Sequence, residues 1–162
     1  MIIGVSILSF ILEYVVNGFF HGTIFSGLII FSSLVLLEPY FKKNRDMFYV
    51  YCFFIGLLYD FVYTGVYFMD SGMFLIIGIL VSFFNRITPN NFVVSVFELV
   101  LMICFYRFIC FVFLGLNGYI VMSFDVLFRS IYSSILINLI YGVLLYFVLF
   151  LLSKRFNIRR IN

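Results

Sequence analysis

The chain has 162 residues, 65% of them hydrophobic and 10% charged, and its 10 Lys and Arg against 7 Asp and Glu leave a net charge of +3. Soluble domains carry roughly 25% charged residues. A chain this short has no interior large enough to hide so much apolar surface, so lipid is its expected solvent and a sizeable soluble domain is excluded. The positive balance sits in clusters beside apolar runs and is no nucleic-acid footprint.

The sequence predicts one all-α membrane domain over residues 1–162. A span needs about 20 apolar residues, fewer where neighbours shield its ends. Six segments qualify: Ile2–Phe19, Thr23–Leu37, Phe48–Phe68, Met73–Phe84, Phe92–Leu114 and Val126–Leu152. The first has no basic n-region and no small-x-small site before Asn17 and His21, so it reads as a span and not a cleaved signal. The second and fourth are short, as tilted or sunken helices would be. Short polar loops separate the spans, and Pro39 and Pro89 both fall in them. Phe (25) and Tyr (12) are abundant while Ala and Trp are absent, a usage expected of AT-rich coding. Gly and Ser must then supply the small residues where helices approach, as in Gly18-xxx-Gly22, Gly78-xxx-Ser82 and Ser130-xxx-Ser134.

Basic residues set the expected orientation. Lys42, Lys43 and Arg45 follow span 2, Arg86 follows span 4, and Lys154, Arg155, Arg159 and Arg160 follow span 6. The other loops have no Lys or Arg, so the positive-inside rule places both termini in the cytoplasm. The tail Lys154–Arg160 reads as a topology anchor that can also meet anionic lipid.

Charges within the spans are costly and need a partner, a cavity or a task. At about 1.5 Å per residue, Asp60 in span 3 lies roughly 20 Å above the cytoplasmic face. Arg107 in span 5 and Arg129 in span 6 fall in the same outer layer. Asp60 with Arg107 is expected to form an internal ion pair that fixes helix packing. Asp125 and Arg129 are i,i+4 on the first turn of span 6, in the favourable order. Glu98 and Asn138 match at a lower level, and Glu13 is mid-membrane with no evident partner. Tyr59, Tyr63 and Tyr67 form a packing stripe. A proton relay would need a chain of titratable groups, whereas the single His, His21, is in an outer loop.

Chemistry is otherwise sparse. Cys52, Cys104 and Cys110 are odd in number and lack Cys-x-x-Cys spacing, so neither disulfides nor a metal site is expected. No Ser or Cys nucleophile has an oriented base, and no phosphate loop is present. The expectation is a protein that is not an enzyme and carries no cofactor.

The stretch Phe54-Ile55-Gly56-Leu57-Leu58-Tyr59-Asp60, followed by Tyr63-Thr64-Gly65 and the apolar run Met73–Phe84, resembles the rod-shape-determining MreD family. The likeness covers roughly residues 48–86, with a Gly-Leu-x-x-Asp signature in the third span. Its form here is similar to that of members from low-GC Gram-positive bacteria. Elsewhere length and topology agree, although the outer loops are short and Glu13 and Glu98 are additional.

The resemblance implies a non-enzymatic subunit of the machinery that elongates the bacterial side wall. Its expected partners are MreC and, nearby, the RodA glycosyltransferase, a class B penicillin-binding protein and the MreB filament. It also implies a six-helix bundle similar to the S components of energy-coupling-factor transporters, with Gly56, Leu57 and Asp60 as signature positions. A vitamin-binding S subunit is therefore the alternative reading. Such a pocket needs several convergent polar groups, whereas the outer loops offer only His21, Asp70, Asn117 and Tyr119. An ion-conducting protein would need a polar stripe through several spans, which the sequence lacks.

Overall fold

The structure, a computed structural model, describes residues 2–19, 27–41, 44–64, 68–88 and 91–155. Helix α1 is Ile2–Phe19, and α2 is Ile29–Leu37, extended by a 3-10 turn over Glu38–Phe41. Helix α3 is Arg45–Tyr59 and runs into a π-helical turn, Asp60–Thr64; α4 is Met69–Ile87, α5 Phe92–Leu116 and α6 Phe124–Arg155. Among the described residues there is no strand. All the helices except α2 are long and apolar enough to cross a membrane, so the chain is a membrane-embedded all-α bundle.

The arrangement follows from what each helix can expose. All nine residues of α2 are buried. A helix that is apolar all round belongs in the middle, and α2 packs against α1, α4, α5 and α6. Its short length is possible because these neighbours surround it. At the centre Phe31 of α2 packs against Tyr106 of α5 and Phe74 of α4, with ring centroids 5.1 and 5.8 Å apart. The outer helices instead turn apolar side chains outward, among them Ile7, Phe54, Phe97, Phe108, Leu144 and Phe150. In water such faces would be sticky patches; in lipid they match the solvent.

Boundaries differ from the sequence reading at the two short spans. The described part of the second span is helical only from Ile29, with residues 23–26 outside the described set. The fourth is not short: α4 starts at Met69 and ends at Ile87. Asp70, expected in an outer loop, is therefore in the first turn of α4 and is buried. Glu38, expected in a polar loop, is buried in the 3-10 turn. The physical cause at α4 is a cap that comes from outside the helix.

Candidate functional site: two helix N-termini capped inside the bundle

The first amides of a helix have no partner within it, and in hydrocarbon an unsatisfied amide costs several kcal/mol. Helices α2 and α4 both begin with this problem inside the bundle. Their N-cap residues are Leu28 and Phe68, and neither has a side-chain cap. Both caps come from acids on other helices.

At α4 the cap is Asp60, which is fully buried at the end of α3. Its Oδ1 accepts the amide of Asp70 at 2.8 Å and its Oδ2 that of Ser71 at 3.1 Å. A carboxylate at a helix N-terminus also meets the positive end of the helix dipole. The approach this requires explains Gly56, one turn earlier on the same face. A Cβ there would lie 2.5 Å from Ser71 Cα and 2.8 Å from the Asp70 carbonyl oxygen. Gly56 thus lets α4 in, and Asp60 holds its first turn. Asp70 is fixed in turn by the Tyr106 hydroxyl, which donates to its Oδ1 at 2.7 Å. Leu57, the third signature residue, is half-buried on α3.

At α2 the cap is Glu13 of α1, also fully buried. Its Oε2 accepts the amide of Ile30 at 2.7 Å, and its Oε1 accepts the Tyr59 hydroxyl at 2.8 Å. Asn138 of α6 takes the Leu28 amide on Oδ1 at 2.8 Å, and Asn17 of α1 takes the Gly27 amide at 2.9 Å. Three side chains from two helices therefore share one helix end. Glu13, left without a partner by depth alone, is the acid at its centre.

The other intramembrane polar groups tie further helix pairs together. Arg107 Nε of α5 donates to Ser134 Oγ of α6 at 2.6 Å. Asn85 of α4 donates to Glu98 of α5 at 3.2 Å, and Ser82 of α4 to Glu38 at 3.1 Å. Glu98 and Asn138, matched by depth, thus bond to different partners. Gly78, one turn before Ser82, brings α4 against Cys52, whose Sγ would lie 2.8 Å from an added Cβ. Tyrosine hydroxyls fasten α1. Tyr51 bonds Ser6, Tyr141 bonds Ser9 at 2.7 Å, and Tyr63 donates to the Phe10 carbonyl at 3.1 Å. Tyr59 and Tyr63 of the predicted stripe thus pack inward and also bond; Tyr67 lies outside the described residues.

Of the 7 acidic residues, five (Glu13, Glu38, Asp60, Asp70 and Glu98) are buried. Asp125 and Arg129 are exposed at the start of α6. At the opposite end, Arg45 opens α3, exposed Arg86 lies in the last turn of α4, and Lys154 and Arg155 end α6. Lys42, Lys43, Arg159, Arg160 and His21 lie outside the described residues. Among the described residues no group of three His, Cys, Asp or Glu side chains is placed to hold a metal. Chemically, Glu13 and Asp60 act as hydrogen-bond acceptors that each hold a helix end, with both oxygens engaged. Comparison with protein-family models, characterised proteins and solved structures finds no match for this chain.

Proposed function

We propose that the chain is a non-enzymatic scaffold subunit of the bacterial wall-elongation machinery, of the rod-shape-determining MreD kind. In this reading it sits in the cytoplasmic membrane with both termini inside. It binds MreC through its membrane helices, beside RodA, a class B penicillin-binding protein and MreB. The observation that supports the reading is the joint made by the signature positions. Gly56 and Asp60, the residues that carry the resemblance, are spent on docking α4 against α3. A signature used to hold a bundle rigid suits a protein whose work is to present a fixed surface. Glu13, Asn85, Glu98, Tyr106 and Asn138 likewise bond between helices.

Depletion in a rod-shaped host is expected to round or widen the cells, and pull-down of the tagged chain is expected to recover MreC. Normal cell shape together with a vitamin requirement would overturn the proposal in favour of a transporter S subunit. Reporter fusions at both termini test the orientation, with cytoplasmic signals at each expected.

A further inference from the structure

Glu13 and Asp60 have both carboxylate oxygens engaged, and Asp70 is held by Tyr106. Glu98 is placed differently. It lies in the second turn of α5 and is 6% exposed, yet its one hydrogen bond among the described residues is neutral, from Asn85 Nδ2 to its Oε1 at 3.2 Å. Its Oε2 accepts nothing among those residues, and neither does Oδ1 of Asn85, which is 8% exposed.

A buried charge in a protein is paired or coordinates a metal. No ion pair reaches Glu98 from the described residues, and a second acid stands near it. Glu38 is close enough for its charge to act on Glu98. It is 1% exposed and accepts the Ser82 hydroxyl on Oε1 at 3.1 Å. Ser82 and Asn85 are three residues apart and share a face of α4. That face therefore brings together an acid that follows α2 and an acid of α5. Arg86, the basic residue next to Asn85, is exposed.

Two carboxylates, a hydroxyl and an amide thus meet near one end of the bundle, each more than nine-tenths buried. Two of the four groups are neutral, and all four offer oxygen. Oxygen donors with carboxylate charge are what hard cations select.

We propose that Glu98, Asn85, Ser82 and Glu38 form a binding site for a hard metal cation between α4, α5 and the turn after α2. Glu98 Oε2 and Asn85 Oδ1 are the oxygens with capacity to coordinate it. The site goes beyond the wall-elongation reading and does not depend on it.

Thermal unfolding of the detergent-purified protein, dialysed against chelator, tests the site. Sodium, calcium and magnesium chloride are each compared with choline chloride at equal ionic strength. At least one of the three metals should raise the midpoint progressively with concentration, as a ligand of the folded state does. Which metal does so identifies the ion. Glu98→Gln should weaken that response at least about tenfold in metal concentration, as loss of a group at a metal site does. The response is read within each variant, so a change in its basal stability does not enter. Asp125→Asn removes an exposed acid at the start of α6 and should leave the response unchanged. Equilibrium dialysis of the unaltered protein with radioactive sodium or calcium should retain one ion per chain and needs no variant. Equal midpoints in all four salts would overturn the proposal, as would an undiminished response in Glu98→Gln or retention of neither ion by a chain that magnesium also fails to stabilise.

Discussion

The N-termini of α2 and α4 meet the same difficulty and resolve it over different distances along the chain. At α4 the acceptor is ten residues from the first amide it caps, and the glycine that admits the helix is one turn before it. At α2 the acceptors are 17 residues upstream on α1 and 110 downstream on α6. The α3–α4 joint can therefore form within a single hairpin, where loop closure costs little. The α2 end is complete only when the first and last helices have packed around it. One joint rests on a single carboxylate; the other is distributed.

Asp60→Ala should give the largest loss of stability. It removes two charge-assisted hydrogen bonds and strands two buried amides, about 4 kcal/mol in all. Unfolding in detergent micelles measures this, and a loss below about 1 kcal/mol would mean that another group caps α4. Gly56→Val should follow at about 3 kcal/mol by overpacking, because the neighbour in its way is backbone and cannot swing aside. Both changes should loosen α3 from α4 and leave the α5–α6 pairing intact. Cysteine cross-linking across each helix pair can read that difference.

Glu13→Ala should cost less, about 2 kcal/mol, because Asn138 and Asn17 still hold neighbouring amides of α2. Here the distributed arrangement makes a sharper prediction than the single change. Glu13→Ala combined with Asn138→Ala should lose more than the sum of the two, since each cap partly covers for the other. Simple additivity would show that the three caps act independently and remove the contrast with α4.

That contrast also explains what could be read from the sequence. The bundle class, α1 and the ends of α5 and α6 followed from apolar run length alone. Gly56 and Asp60 were legible as a pair because their role is local. Depth arithmetic, by contrast, can rank heights but cannot give rotation about a helix axis. It therefore matched Glu98 with Asn138, whereas α4 supplies Asn85 to the first and α2 supplies its N-terminus to the second. It also gives no hint that Glu13 and Asp60 each accept amides at a helix N-terminus. A usable signal was present at Leu28 and Phe68: poor capping residues at the start of an apolar helix imply an acceptor supplied from elsewhere. Glu38 and Asp70 were misplaced for a related reason. An acid beside a turn reads as solvated, although each is buried against a hydroxyl of a neighbouring helix.

The smallest effects are expected where charges sit at a helix end and not within the bundle. Arg107 and Arg129 are the two arginines inside the predicted spans, which makes them a fair pair for comparison. Arg107 is half-buried and bonds Ser134 across the α5–α6 contact, so Arg107→Gln should cost about 1 to 2 kcal/mol. Arg129 is exposed near the start of α6, one turn from Asp125. A pair so placed gains little against the entropy of holding two long side chains, and Arg129→Gln should fall within about 0.5 kcal/mol of the unaltered protein. A larger loss at Arg129 would mean that the N-terminal end of α6 is covered by a partner or by lipid headgroups. The ranking of the two arginines thus tests whether stability follows contact with buried groups or charge count alone.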